Sequence, residues 1–139
     1  MHKGTALLFI AIAFLISLSP TSAAATRLED FTWQYRVVLI DSDKDQQAIL
    51  DYLERFEPEI KDRDLVWFLL SGESTTSNFT GHSIDDIRLD KQNLQCKQPV
   101  VLIGKDGGVK GCYQTFDLNQ IFALIDTMPM RQREMHDAD

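Results

Sequence analysis

The chain has two cysteines, Cys96 and Cys112, and in an oxidising compartment such a pair can form a disulfide. Asp106-Gly107 is a strong hairpin signal, and the register it sets places Cys112 opposite Val101. A disulfide needs Cα atoms about 4.4–6.8 Å apart, so the segment before Pro99 would have to fold back to bring Cys96 close. The sequence leaves two alternatives open: a Cys96–Cys112 disulfide, or two separate, partly buried thiols.

A second set of residues could recognise a ligand. Basic side chains recur in an otherwise acidic protein, and arginine forks bind carboxylates and other anions with two parallel hydrogen bonds. One hypothesis is that some of them converge on a small anionic ligand or on a partner protein's carboxylates. The favoured alternative is internal pairing with Asp64, Asp106 and Asp126, or plain solvation, since exposed ion pairs are weak. The candidate residues are Arg36, Arg63, Asp64, Lys105, Lys110, Arg131 and Arg133.

The alternating acids Asp41, Asp43 and Asp45 resemble the first half of a calcium loop. Such a loop requires glycine at its sixth position and glutamate at its twelfth, where this chain has Gln46 and Tyr52. We therefore predict no metal site, and we expect these carboxylates to cap the helix that follows.

Catalytic residues cannot be assigned from the sequence. It contains no Gly-x-Ser-x-Gly motif, and beyond the N-terminal segment it has two histidines, His82 and His136. The sequence predicts no cofactor, and it favours a protein that is not an enzyme.

The N-terminus has the pattern of a secretory signal peptide. Lys3 precedes an apolar run over residues 6–18, and Ala23 to Ala25 offer the small residues that signal peptidase requires. The run is shorter than the roughly 20 residues of a spanning helix, so we expect cleavage near Ala25 and no membrane anchor afterwards. The predicted organisation is a signal peptide over 1–25, a single domain over 26–135 and a disordered tail over 136–139.

Export predicts a periplasmic or secreted protein. The formal charge is −7, and it becomes −8 when Lys3 leaves with the signal peptide. An acidic surface argues against nucleic acid and anionic membranes as partners.

Apolar patterning predicts the order β-α-β-α-β-β-α. The segment Ser71–Gly81 is polar and is predicted to be an exposed loop, and Pro58 and Pro129 are predicted to end helices. The predicted strands are Tyr35–Ile40, Leu65–Leu70, Val100–Ile103 and Val109–Gln114, and the helices begin near Asp43, Ile84 and Asp117.

This order matches a thioredoxin-like core: a three-layer α/β/α domain with a mixed sheet. Pro99 stands where such proteins carry a cis-proline, although the sequence does not decide the isomer. A thioredoxin-type enzyme has its attacking thiol at the start of the first helix. This chain has Asp41 to Gln47 at that place, with no cysteine.

The chain resembles the domain of unknown function 4174 family, a thioredoxin- or peroxiredoxin-like group of bacterial exported proteins related to domains of animal sushi-repeat extracellular matrix proteins. The resemblance implies an exported thioredoxin-like domain of unestablished activity. We expect a binding or interaction module, and the alternative is a redox protein that uses Cys96, Cys112 or both. The residues that carry the resemblance are Trp33, Arg36, Gln47, Arg63, Asp64, Leu102–Lys110 and Ile125–Met135.

Overall fold

A computed structural model describes residues 27–80 and 86–139. The predicted signal peptide over 1–25 and His82 lie outside the described residues, as does the start of the helix predicted from Ile84. Among the described residues, no helix is both long enough and apolar enough to span a bilayer.

The described chain forms a five-stranded mixed sheet with helices on both faces, which confirms the predicted α/β class. The strands lie in the order β3-β2-β1-β4-β5; β1 and β2 are parallel, and every other neighbouring pair is antiparallel. The strands are β1 (Arg36–Asp41), β2 (Leu65–Ser71), β3 (Ser74–Ser77), β4 (Val100–Ile103) and β5 (Val109–Tyr113).

A short 3-10 helix, Leu28–Phe31, precedes the first strand. The α-helices are α1 (Gln46–Arg55), α2 (Glu57–Asp62), α3 (Ile87–Asn93), α4 (Leu118–Asp126) and α5 (Pro129–Asp137). The described order therefore adds the 3-10 helix, α2, β3 and α5 to the predicted one.

Both faces of the sheet are buried, and side chains along each central strand alternate between two cores because the strand period is two residues. Val38 and Ile40 of β1 pack with α1, α2 and α4, whereas Val37 and Leu39 pack with the 3-10 helix and α3. The sheet therefore lies between two helical layers, as predicted.

Two predictions of local structure need correction. The segment Ser71–Gly81 was predicted to be a loop, but β3 lies within it and pairs with β2, so that Leu70 faces Thr75. α1 and α4 end before Pro58 and Pro129, as predicted, but each proline also lies in the first turn of a further helix, α2 or α5, that was not predicted. Proline is tolerated there because the first N–H groups of a helix have no intrahelical acceptor. α5 also includes the first two residues of the segment predicted as a tail.

The hairpin prediction is confirmed, because Cys112 lies opposite Val101. Cys112 therefore shares the sheet face of Val101, which is the face that α3 and the following segment cover. Cys96 lies in that segment and forms a disulfide with Cys112, with the two Cα atoms 5.9 Å apart. Of the two alternatives left open by the sequence, the structure contains the disulfide. The peptide bond before Pro99 is trans.

Candidate functional site

Two regions at opposite ends of β1 contain the polar groups of interest. The carboxyl-end cavity is a space of about 690 Å³ where β1 ends, α1 begins and β4 starts. The ion network, at the other end of β1, connects that strand to β4, α4 and α5.

The carboxyl-end cavity has an apolar floor and a charged rim. Ile40 and Val100 reach it from the sheet, and the rings of Tyr52 and Phe116 line it with their centroids 6.1 Å apart in an edge-to-face arrangement. Its charged lining residues are Asp41, Lys44, Asp45, Asp51 and Arg55. The rim thus offers both signs of charge above an apolar surface.

The start of α1 borders this cavity, and its N-cap residue makes no side-chain capping bond. Asp45 precedes the helix with φ of 55°, in the left-handed region that non-glycine residues seldom adopt, and its carboxylate makes no capping bond. Asp43 instead accepts a hydrogen bond of 2.8 Å from the N–H of Gly72. The expectation that these carboxylates cap α1 is therefore wrong. Asp45 is at the N-cap position in a left-handed conformation and makes no capping bond, and Asp43 instead accepts from the turn between β2 and β3.

The acids at this end do not gather into a metal site. Asp41 pairs with Lys91 at 3.5 Å, and Asp51 accepts a hydrogen bond from Gln47. Over residues 27–80 and 86–139, no group of three or more His, Cys, Asp or Glu side chains is arranged to hold an ion.

Arg36 is at the centre of the ion network, at the amino end of β1. Its side chain is 1% exposed, and its guanidinium donates to both carboxylate oxygens of Glu134 at 3.1 and 3.2 Å. It also donates to the carbonyl of Arg63 at 2.9 Å. A buried charge is stable only when paired, so Arg36 and Glu134 together attach α5 to the sheet.

Lys105, which follows β4, connects to the same carboxylate. Its ammonium group lies 2.6 Å from Glu134 and 2.7 Å from Asp64. Asp64 has φ of 46°, so the residue that receives Lys105 is also held in the left-handed region. Glu134 therefore bridges the cations of two neighbouring strands.

The rest of the network joins α4 and α5 to the turn before β2. Arg63 donates to both oxygens of Asp126 at 3.0 and 2.8 Å, and its guanidinium lies over the ring of Phe122, 4.4 Å from the centroid. Arg131, also buried, bonds Asp126 and the carboxylate and carbonyl of Asp62. These pairs are charge-assisted and mutually oriented.

The network shifts the acidity of its carboxylates. Burial raises the pKa of Glu134, but the hydrogen bonds from Lys105 and Arg36 outweigh that effect and hold its pKa below the usual range. Burial likewise raises the pKa of Asp126, and the bonds from Arg63 and Arg131 reverse the shift and lower its pKa. Both carboxylates are therefore ionised at neutral pH.

Five of the seven predicted ligand-binding residues lie in this network: Arg36, Arg63, Asp64, Lys105 and Arg131. Lys110 pairs separately with Asp106 at 2.7 Å, and Arg133 is exposed, with no ion pair among the described residues. The internal partners considered as the alternative are thus present, and ligand binding by these residues stays a prediction. Glu134 and Asp62 were not predicted from the sequence. The signal that was available is Arg36 at the start of an apolar strand, because a buried arginine requires a partner of opposite charge.

The disulfide lies on the α3 face of the sheet. Cys96 is buried against the core, whereas Cys112 is exposed on the edge strand β5. The bond connects the segment after α3 to that edge, so it limits separation of β5 from the rest of the sheet.

Comparison with known proteins gives a family. A family model described as "Domain of unknown function (DUF4174)" matches residues 27–134, which include both regions and the disulfide. No curated protein and no solved structure gives a match. The chain belongs to the DUF4174 family.

Proposed function

We propose that this protein is an exported binding module, with a thioredoxin-like core, that holds a short segment of a partner polypeptide in the carboxyl-end cavity. The observation that carries the proposal is the cavity itself, about 690 Å³ at the carboxyl end of β1. Ligand cavities usually measure about 300–1,000 Å³. In open α/β sheets ligands bind beyond the carboxyl ends of the strands, where neighbouring connections diverge.

The lining supports a polypeptide ligand. The rings of Tyr52 and Phe116 and the aliphatic Ile40 can cover an apolar side chain, while Lys44 and Asp45 on the rim can pair with either charge of a peptide. The N–H groups of the first turn of α1 have no intrahelical acceptors, so they can donate hydrogen bonds to a peptide carbonyl.

Export is supported by two features. The N-terminal pattern is that of a cleaved signal peptide, and the Cys96–Cys112 disulfide is of the kind that persists in oxidising compartments. We place the mature protein in the periplasm or outside the cell.

Selection of a random short-peptide library against the mature protein tests the binding proposal. Selected peptides should shift the backbone amide resonances of Ala48 and Thr115, which line the cavity. Ala48 is exposed, so Ala48→Trp fills the cavity without disturbing the core and should weaken binding about tenfold or more, equivalent to 1.4 kcal/mol.

The matched control is Ala138→Trp, the same substitution at an exposed alanine beyond α5. It should leave peptide affinity unchanged. A library that yields no binder, or binders that shift only resonances far from the cavity, would exclude the proposal.

Thiol–disulfide exchange is the second candidate, and the exposure of Cys112 favours it. A substrate thiolate would attack the Cys112 sulfur, forming a mixed disulfide and releasing the Cys96 thiolate. Structural disulfides of secreted proteins have reduction potentials below about −300 mV, whereas exchange catalysts lie higher. A potential above about −230 mV, in the range of known exchange catalysts, would favour this candidate, and a value below about −300 mV would reject it.

A further inference from the structure

A second, smaller cavity lies beside the ion network, between the β4–β5 hairpin and the start of α5. This basic cavity has a volume of about 270 Å³, and its ionised lining residues are Arg36, Lys105, Lys110 and Asp106. Three cations and one anion therefore face the same space. The basic cavity is separate from the carboxyl-end cavity, because Arg36 begins β1 and Asp41 ends it.

Arg36 has one side-chain nitrogen without a partner. Its two terminal nitrogens bond Glu134 and the carbonyl of Arg63, whereas Nε is buried and has no hydrogen-bond partner among the described residues. A buried N–H without an acceptor destabilises the folded protein, and more so when the group is charged. Arg36 lines the basic cavity, and an acceptor that reaches Nε from there would remove that destabilisation.

The lysines keep donors as well. An ammonium group has three N–H bonds. Lys105 uses two of them, on Asp64 and Glu134, and Lys110 uses one, on Asp106. Unused N–H bonds remain on both side chains after all their pairs with the described residues have formed.

The start of α5, a helix of nine residues, also borders the basic cavity. Met128 is its N-cap residue and makes no side-chain capping bond, and Pro129 occupies its first turn. The N–H groups of an uncapped first turn carry partial positive charge and bind anions. Together with the unpartnered Arg36 Nε, this helix start makes the cavity a site for negative charge.

We propose that the basic cavity binds a small organic carboxylate. The carboxylate oxygens accept hydrogen bonds from Arg36, Lys105, Lys110 and the first turn of α5. Met128, Pro129 and Met130 line the same cavity and supply apolar surface for a short carbon chain. That apolar wall favours an organic acid over inorganic phosphate, which has no carbon body to bury.

The test compares propionate with inorganic phosphate at equal ionic strength, followed by the nitrogen resonance of Arg36 Nε and the amide of Met130. Propionate should produce saturable shifts, with a dissociation constant of about 1 mM and tighter than that of phosphate. Shifts that rise linearly with propionate, or phosphate binding tighter than propionate, would overturn the proposal.

Two exposed-lysine variants give the control. Lys110→Gln removes a cavity cation that is partly exposed, so the fold persists, and it should weaken propionate binding about threefold or more. Lys97→Gln removes a lysine that does not line this cavity and bonds the carbonyl of Gln92; it should leave the affinity unchanged. Equal effects of the two variants would contradict the site.

Discussion

The two ends of β1 differ in how their charged side chains are placed: buried and paired at the amino end, and exposed around a cavity at the carboxyl end. At the amino end Arg36 is fully buried, and its neighbours Glu134, Lys105 and Asp64 pair with one another at 2.6–3.2 Å. At the carboxyl end Asp41 and Asp45 stay exposed around an open cavity. Pairs buried inside the protein hold elements together, whereas exposed charges around a cavity can also reach a ligand, even where one of them, Asp41, already pairs with Lys91. From this comparison we expect the amino end to contribute most to stability and the carboxyl end to hold the proposed peptide.

Arg36→Ala breaks the amino end most directly. It leaves Glu134 without its buried partner and opens a cavity, so we expect the free energy of unfolding to fall by about 4 kcal/mol. Urea denaturation of the protein over residues 26–139 measures the loss. Lys110→Ala, which removes a partly exposed pair, should cost less than about 1 kcal/mol, and comparable losses in the two variants would refute the assignment.

The disulfide is independent of either end of β1 and gives the next largest effect. It closes a loop over a sequence separation of 16 residues. The chain-entropy account predicts about 3 kcal/mol for a loop of that size. The double variant Cys96→Ser with Cys112→Ser should lose about that much stability in urea denaturation. A loss equal to that of reduced wild-type protein would identify the bond, rather than side-chain packing, as the cause.

Asp45 and Asp64 both have a positive φ, and one lies near each end of β1, so the two can be compared directly. Asp45→Gly and Asp64→Gly both relieve a positive φ, since glycine adopts that region freely. Asp64→Gly also removes a partner of the nearly buried Lys105, whereas Asp45 makes no capping bond. We expect Asp64→Gly to be less stable than Asp45→Gly by about 1–2 kcal/mol. Equal stabilities would show that the network charge at Asp64 contributes nothing.

Acid has the smallest expected effect. The pKa values of Glu134 and Asp126 are lowered in the folded protein, because hydrogen bonds from their cations outweigh the burial that raises them. Their contribution is present above the ordinary carboxyl pKa of about 4 and is lost as pH falls through the lower folded values. The urea concentration at the unfolding midpoint should therefore decrease as the pH falls below about 4, and this decrease should be smaller in Glu134→Gln. An identical pH dependence in that variant would contradict the pairing.

The sequence predicts the central sheet well because its signals are local and strong. The Asp106-Gly107 turn gives the register of β4 and β5, and continuous apolar runs mark β1 and β2 as buried on both faces. β3 escapes prediction because Ser74–Ser77 is polar throughout; it is a strand only because β2 offers it an edge.

The site depends on long-range contacts that no local pattern contains. Arg36 and Glu134 are 98 positions apart, and only the docking of α5 brings them together. Pro129 was predicted to end a helix, and no further helix was predicted after it, so neither α5 nor the contact of Glu134 with the sheet was expected. The missing thiol at the start of α1 could be read directly, but the cavity there depends on Pro99 and Phe116 from distant segments.

The location of peptide binding at the carboxyl end of β1 is tested by the affinity of a library-selected peptide for the Ala48→Trp and Arg36→Ala variants, at a temperature where both are folded. We expect Ala48→Trp to lose peptide affinity by about tenfold or more at unchanged stability. We expect Arg36→Ala to keep the affinity despite its large loss of stability. Loss of affinity in Arg36→Ala together with full affinity in Ala48→Trp would contradict this location, because peptide binding would then belong to the amino end of β1.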